Sequence, residues 1–195
     1  MVELLSVALH AGRRAGSLLG KHVLVTGFGP IGALIVIAAR RAGASRIVVT
    51  DVGDFPLRSA LKVGADDIIN VAEQPDELAR FAVDKGSFDV LFEASGNERA
   101  LRSAFEVLRP RGVIVQVGLG GEMNLPINEI VAKEFDLGGA FRFHEEFEIA
   151  ITLLNQGLVD VKPLISASLS YRDPAKAFRL AADRTQAMKV LLNFE

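Results

Sequence analysis

Short apolar runs alternate with amphipathic segments along most of the chain, and this alternation defines the predicted elements. The apolar runs predict strands over residues 22–26, 46–50, 67–70, 88–93, 112–117 and 136–142. The amphipathic segments between the first five predict helices over residues 30–42, 57–63, 77–84 and 99–108. Strands that are apolar at successive positions are typical of a sheet covered on both faces, and helices between strands favour parallel connections. The pattern therefore predicts an α/β fold with a Rossmann-type, doubly wound, parallel six-stranded sheet.

Further elements are predicted at both ends of the chain. A helix over residues 3–15 precedes the first strand. The last part of the chain adds a helix over 146–155, a strand over 162–168, a helix over 174–182 and a strand over 189–194. We therefore divide the chain into a helical segment (1–20), a central sheet domain (21–160) and a C-terminal α/β extension (161–195).

The composition narrows the class of protein. Half of the residues are hydrophobic and 24% are charged, which indicates a sizeable core and argues against disorder. A formal net charge of −2 offers no basic field for nucleic acid or for an anionic membrane surface. No apolar run approaches the ~18 residues of a membrane span, and residues 1–20 lack the core of a signal peptide. Cysteine is absent, which excludes disulfides and thiolate zinc sites and fits a reducing compartment, so we predict a cytoplasmic protein.

A glycine-rich loop follows the first predicted strand and opens the first helix. Residues 27–32 read Gly-Phe-Gly-Pro-Ile-Gly, which fits the dinucleotide-binding pattern G-x-G-x-x-G. Gly27 would allow the tight turn, Gly29 the approach of backbone to a pyrophosphate, and Gly32 close packing of helix on strand. Free N–H groups at the helix start would bind the anion. Three glycines can also be purely structural, so the motif gains its weight from its context.

An acidic residue stands where the dinucleotide interpretation requires one. Asp51 ends the second strand, 51 − 32 = 19 residues after the last glycine of the loop, close to the ~20 typical of the residue that binds the adenosine ribose. Its carboxylate would accept hydrogen bonds from the ribose and repel a 2′-phosphate, which favours NAD over NADP. Neighbouring residues can outweigh the effect of one carboxylate on this cofactor preference. The alternative interpretation of Asp51 is that it only caps a turn.

Two further loops end strands at the same edge of the predicted sheet. One contains Ser95, and the other runs from Val117 through Gly118 and Leu119. Ligands of open α/β sheets bind at the carboxyl ends of the strands near the switch point, so both loops are candidates for cofactor contact. Ordinary glycine-rich turns would give the same pattern.

A complete catalytic site for alcohol oxidation is not evident. That chemistry needs the hydroxyl proton removed and the alkoxide stabilised, by a metal or by a tyrosine–lysine pair. The three histidines, at positions 10, 22 and 144, show no ligand spacing and are predicted to be surface or helix-packing residues. The only tyrosine, Tyr171, lies five residues before Lys176, whereas the short-chain dehydrogenase pair is spaced by four. We therefore predict no metal site in this chain.

Longer motifs, in order along almost the whole chain, carry a family resemblance. They are Leu-Ser-Val-Ala-Leu-His-Ala over 5–11, Val-Gly-Ala-Asp over 63–66, Phe-Glu-Ala-Ser-Gly over 92–96, Arg-Gly-Val-Ile-Val-Gln-Val-Gly over 111–118, Phe-Arg-Phe over 141–143 and Thr-Gln-Ala-Met-Lys-Val over 185–190. Together with the glycine loop, they make the chain resemble the second half of the medium-chain zinc-dependent dehydrogenases, in the branch of the sorbitol and L-idonate dehydrogenases. The resemblance implies oxidation of a secondary alcohol in a small-molecule polyol or sugar acid, with hydride transfer to NAD.

The resemblance also implies roles for individual residues. Backbone groups of Pro30 and Ile31 would meet the pyrophosphate, and Ser95 would lie beside the cofactor. The residues implied on the nicotinamide side are Val117, Leu119 and Phe141. Glu3 occupies the family position of a glutamate near the zinc-bound water, and Arg142 would face the substrate cleft, where a guanidinium pairs well with a sugar-acid carboxylate.

Three positions depart from the family pattern. Leu4 stands where proline is usual, Phe143 where sorbitol dehydrogenases have tyrosine, and Pro56 where some relatives have an arginine beside the ribose. Phe143 removes a hydroxyl from the cleft, which argues against sorbitol as the substrate. Pro56 removes a cation from the ribose site, which bears on the choice between NAD and NADP.

The family's zinc-ligand domain would precede Glu3, joined through residues 1–20, and residues 161–195 would return to pack on it. We therefore expect a truncated product that binds NAD, and NADP less well, without turnover, and zinc is expected only in the full-length enzyme. The alternative is a regulatory module that senses NAD, because the same glycine loop and acidic residue can bind NAD in a protein that catalyses no reaction. A homo-oligomer paired across the sixth strand is also expected, since residues 137–141 carry few charges.

Overall fold

The computed structural model describes all 195 residues and is built around a six-stranded parallel sheet. The strands are β1 (His22–Thr26), β2 (Arg46–Asp51), β3 (Asp67–Asn70), β4 (Phe88–Glu93), β5 (Leu108–Gln116) and β6 (Asp136–Gly139). Their order is β3-β2-β1-β4-β5-β6, and every neighbouring pair is parallel. The order confirms the predicted Rossmann-type sheet. It also locates the reversal of strand order between β1 and β4, where ligands of this fold bind.

Helices cover both faces of this sheet, and the chain has seven helices in all. They are α1 (Val2–Arg14), α2 (Pro30–Arg41), α3 (Asp54–Lys62), α4 (Glu98–Val107), α5 (Ile127–Ala132), α6 (Glu146–Asn155) and α7 (Pro174–Ala182). Pro30 is the first residue of α2, a position where its missing N–H costs no helical hydrogen bond. None of the helices combines the length and the apolar character that crossing a bilayer requires.

Alternate strand residues point into two separate cores, which explains why the strands are apolar at successive positions. Val23 and Val25 of β1 belong to a core of 29 buried residues formed with α1, α2, α3 and α6. Leu24, between them, belongs to a second core of 14 residues that includes residues of α4. Because side chains alternate across a strand, a sheet buried on both faces needs an apolar residue at every position.

Several elements differ from the sequence prediction, and β5 begins at Leu108 instead of residue 112. The helix predicted over 77–84 is two short 3-10 turns, Glu77–Phe81 and Val83–Lys85, and Asp84 in the second turn has φ 54°, outside the helical region. Strand β6 ends at Gly139 instead of continuing to Arg142, which has φ 56° and so cannot extend a strand. Helix α5 was not predicted, and it buries none of its six residues.

The C-terminal extension forms its own small sheet. Strands β7 (Ile165–Ser170) and β8 (Lys189–Asn193) pair in parallel and are joined through α7. The predicted start of β7 at residue 162 is instead a 3-10 turn over Lys162–Leu164. The rings of Tyr171 and Phe194 stack with centroids 5.1 Å apart. The loop between α7 and β8 returns to the carboxyl end of β2, where it meets the candidate site.

Candidate functional site

The glycine loop between β1 and α2 lies at the reversal of strand order. A Cβ atom on Gly32 would lie 2.1 Å from the carbonyl oxygen of Gly27, and one on Gly27 would lie 2.7 Å from the Cα atom of Ser95. Gly27 also has φ +85°, a backbone conformation that favours glycine. These two positions therefore require glycine because the loop packs tightly on itself and on the loop after β4.

Gly29 differs from the two glycines beside it. It has φ −79° and ψ −173°, an ordinary extended conformation, and a Cβ atom there would meet no atom within 4 Å. No side chain caps the N-terminus of α2, and its first turn holds no acidic residue. The partial positive charge of the helix end therefore faces open space beside Gly29, which is the cradle that a pyrophosphate needs.

Asp51 is held against this loop from the neighbouring strand. Its side chain is buried, and its Oδ2 atom accepts a hydrogen bond from the backbone N–H of Phe28 at 2.6 Å. Its Oδ1 atom accepts bonds from the N–H groups of Val52 and Gly53, at 2.8 and 3.0 Å. A carboxylate offers about four lone-pair sites, so about one is left for a ligand hydroxyl. Asp51 therefore caps the turn after β2, and its role at the ribose stays a prediction.

A fully buried carboxylate joins the ends of three strands beneath the site. Glu93, the last residue of β4, is 0% exposed. Its Oε1 atom accepts hydrogen bonds from the hydroxyl of Thr26 and from both the N–H and the hydroxyl of Ser95. Its Oε2 atom accepts from the N–H of Gly96 at 3.0 Å and from Nε2 of Gln116 at 2.7 Å. Because every donor comes from a loop or strand end that faces the site, Glu93 sets their mutual positions.

An open cleft of about 470 Å³ lies between the loop after β5 and the residues of β6. Gln116 lines this cleft, and its Nε2 atom donates a hydrogen bond to the carbonyl oxygen of Gly118. The buried Oε1 atom of Gln116 has no hydrogen-bond partner. An unpaired buried acceptor costs about 1–3 kcal/mol, so a donor that reached this atom would stabilise the loop. A Cβ on Gly118 would lie 2.1 Å from the N atom of Gly96, which keeps the loops after β4 and β5 in contact.

Apolar side chains are uncovered near this edge of the sheet. Leu119 is 84% exposed and Phe141 is 64% exposed, whereas Val117 is half-buried. The guanidinium of Arg142 lies 5.4 Å from the ring centroid of Phe141. Large apolar groups left in water at a cleft are typical of a ligand-binding surface.

The structure does not bring the two predicted catalytic residues into contact with the loop residues. Glu3 is exposed in the first turn of α1. Arg142 is exposed after β6, and its guanidinium lies over the ring of Phe141. The roles of both residues stay predictions.

Two of the three histidines meet at the packing of α1 on α6. The rings of His10 and His144 are 5.2 Å apart, and Nδ1 of His10 lies 3.2 Å from Oε1 of buried Glu146. Burial alone would raise the pKa of Glu146, but hydrogen bonds from the backbone N–H groups of His144 and Glu146 and from His10 lower it to about 2. This cluster joins helices, and no group of three or more His, Cys, Asp or Glu side chains is arranged to hold a metal ion.

Sequence reasoning missed three residues of the site: Glu93, Gln116 and Arg184. Glu93 could have been found from the sequence, since a charged residue at the end of an apolar strand needs buried partners. Nothing in the sequence around Arg184 indicates a role in the site. Its Nη2 atom lies 3.6 Å from Oδ2 of Asp51, a pairing created by the return of the C-terminal loop.

Comparison with known proteins identifies the family of the chain. Residues 30–156 match the family model described as zinc-binding dehydrogenase. An L-idonate 5-dehydrogenase (NAD(P)(+)) of Escherichia coli is 44% identical, over 98% of this chain and 56% of its own length. A sorbitol dehydrogenase of Ovis aries is 36% identical, over 98% of this chain and 55% of its own length. The crystal structure of L-idonate 5-dehydrogenase from Escherichia coli matches with a TM-score of 0.93 at 44% identity, covering 99% of this chain and 56% of that one.

The chain thus spans about half the length of the curated relatives it matches. The family match covers most of the sheet domain, including the start of α2 and the ends of β2, β4 and β5. The resemblance predicted from the sequence motifs is confirmed, and the chain belongs to the zinc-binding dehydrogenase family.

Proposed function

We propose that this chain is the NAD-binding part of a dehydrogenase that oxidises a secondary alcohol of a polyol or sugar acid. The observation that carries the proposal is the open space beside Gly29 at the uncapped start of α2, with Asp51 bonded to the same loop. This is the arrangement of N–H groups and carboxylate that a dinucleotide requires. The names of the relatives supply the class of substrate.

Each part of the site has a physical role in this proposal. The N–H of Ile31 donates to the pyrophosphate at the positive end of α2, and the backbone of Pro30, which has no N–H, lies against it. The remaining lone pair of Asp51 accepts a hydrogen bond from the adenosine ribose. Ser95, Val117, Leu119 and Phe141 lie along the rest of the cofactor, and their apolar members keep water from the path of the hydride. When bound, NAD supplies the hydride acceptor.

The substrate is assigned through charge. Arg142 is exposed, and its guanidinium has no ion-pair partner within the chain. A carboxylate of a sugar acid such as L-idonate would pair with it in a bidentate manner, whereas a neutral polyol would leave its charge unused. This supports a sugar acid over a polyol, and Glu3 is proposed to lie near the reacting hydroxyl.

The residues of this chain do not fit a zinc ion. The chain has no cysteine, and its histidines and carboxylates form no group of three that could ligate a metal. We therefore derive no step through zinc. We propose that this chain by itself binds the cofactor without oxidising substrate.

Calorimetric titration of the pure chain with NAD tests the proposal, with Gly29→Ala as the matched variant. The methyl group of this variant meets no protein atom, so the fold and the melting temperature are expected to be unchanged. It fills the space where backbone would approach the pyrophosphate, so NAD affinity should fall at least tenfold. Equal NAD affinity in the two proteins would contradict the assigned position of the pyrophosphate. Oxidation of L-idonate by the chain alone would contradict the absence of turnover.

A further inference from the structure

An arginine from the C-terminal segment lies close to the carboxylate that would bind the ribose. Nη2 of Arg184 is 3.6 Å from Oδ2 of Asp51, although 66% of the Arg184 side chain is exposed. The guanidinium makes no hydrogen bond within the chain, so its donors are available to a ligand. The position therefore combines a buried acceptor with an exposed cation.

The base of the loop that carries Arg184 is fixed. Asp183 accepts hydrogen bonds from the N–H and the hydroxyl of Thr185, at 2.9 and 2.6 Å, and these bonds lower the pKa of Asp183. Ala187 is buried, and the N–H of Met188 donates to the hydroxyl of Ser166 in β7 at 2.8 Å. Because the backbone on both sides is held, Arg184 is presented to Asp51 by the fold.

The free lone pair of Asp51 lies on the same side as Arg184. Oδ1 already accepts two backbone hydrogen bonds, whereas Oδ2 accepts one, from Phe28. A ribose hydroxyl bound to Oδ2 would therefore lie next to the guanidinium. A phosphate on that hydroxyl would be repelled by Asp51 and attracted by Arg184, and the arginine has the geometry that phosphate binding favours.

We propose that Arg184 is a specificity-determining residue that admits a 2′-phosphate, so that the chain binds NADP as well as NAD. The proposal rests on the proposed cofactor site. Asp51 alone would strongly disfavour NADP, and Pro56 leaves the start of α3 without a cation to offset that effect. Arg184 supplies the missing charge from a different part of the chain.

The test compares ligands that differ only in the 2′-phosphate. NAD and NADP, and the fragments 5′-AMP and 2′,5′-ADP, are titrated into the wild-type chain and into Arg184→Ala. The variant should lose about tenfold in affinity for NADP and for 2′,5′-ADP, which is typical of one charge-assisted contact. Its affinity for NAD and 5′-AMP should change less than threefold. Arg179→Ala, which removes an exposed arginine from α7 in the same segment, is the control and should not change the NADP-to-NAD ratio.

Other outcomes separate the two proposals. If the wild-type chain binds NAD but not NADP, or if Arg184→Ala weakens both dinucleotides equally, the role of Arg184 is wrong and the cofactor site stands. If the wild-type chain binds neither dinucleotide, both proposals are wrong. Arg184→Lys keeps the positive charge without the planar guanidinium, so it should keep part of the NADP affinity.

Discussion

The Oδ2 atom of Asp51 accepts a hydrogen bond from the backbone N–H of Phe28 at a distance of 2.6 Å. This bond joins the carboxyl end of β2 to the middle of the glycine loop. One carboxylate therefore holds the loop in place and, in the proposed function, binds the ribose. The position of the pyrophosphate site and that of the ribose site are linked through a single side chain.

Replacement of Asp51 should consequently reduce both stability and cofactor binding. In Asp51→Ala, three backbone N–H groups lose their acceptor, those of Phe28, Val52 and Gly53. We expect the free energy of unfolding to fall by about 2–3 kcal/mol, because part of this loss is recovered from water. NAD affinity should fall at least tenfold. Urea unfolding without cofactor measures the first effect and calorimetry the second, and wild-type NAD affinity in the folded variant would contradict the ribose assignment.

The strands and the glycine loop could be predicted from sequence because their signals are local. A strand buried on both faces must be apolar at each position, as Val23, Leu24 and Val25 are. The loop is a fixed spacing of glycines directly after such a strand. For these elements the residue pattern within a short window carries the whole physical constraint.

The remaining features depend on residues that are distant in sequence or on weak local preferences. Arg184 lies near Asp51 only because the loop between α7 and β8 reaches the carboxyl end of β2. The network of Glu93 needs Gln116 from a neighbouring strand. Helix α5 is short and buries no residue, so it has no apolar periodicity to detect. No pattern within one segment encodes these relationships.

Gly32→Ala should destabilise the protein because the new methyl group would overlap the carbonyl of Gly27. The contact distance of 2.1 Å is far below van der Waals contact, so helix α2 must shift away from β1. Overpacking of this kind costs about 1–3 kcal/mol, and the displaced loop should also bind NAD less tightly. Thermal and urea unfolding measure the loss.

Gly12→Ala is the matched control for this variant. Gly12 lies within α1, and a Cβ atom there meets nothing within 4 Å. Alanine should therefore stabilise the helix by about 0.5–1 kcal/mol. If the two alanine variants changed the stability in the same direction and by the same amount, close packing of the glycine loop would not be the cause.

Glu93→Gln should cost stability although its shape is unchanged. One accepting oxygen becomes an NH₂ group, which faces the donors of Thr26 and Ser95 at the Oε1 position or those of Gly96 and Gln116 at the Oε2 position. We expect the free energy of unfolding to fall by about 2–4 kcal/mol, since a fully buried donor has no partner there. Glu106→Gln on the exposed face of α4 is the control and should change it by less than about 0.5 kcal/mol. If urea unfolding gave the same loss of stability for Glu93→Gln and Glu106→Gln, the hydrogen-bond network of Glu93 would contribute nothing to stability.

The cluster of His10 and Glu146 predicts a specific dependence of stability on acid. The folded state lowers the pKa of Glu146 from an ordinary value of 4.5 to about 2. The unfolded chain therefore binds this proton at a higher pH than the folded chain does. The contribution of Glu146 is fully present above about pH 4.5 and is lost as the pH falls to about 2, with a size of up to about 3 kcal/mol.

Glu146→Gln isolates this contribution from the titration of other groups. The variant should be less stable than wild type at pH 7, and the difference should shrink steadily between pH 4.5 and pH 2. Urea unfolding of both proteins at several pH values measures it. Glu145→Gln is the control, because Glu145 is exposed and pairs only with Arg13 at the surface, so its difference from wild type should stay small throughout. If the difference between wild type and Glu146→Gln were the same at pH 3 and pH 7, the stabilisation would come from the shape of the side chain and not from its charge.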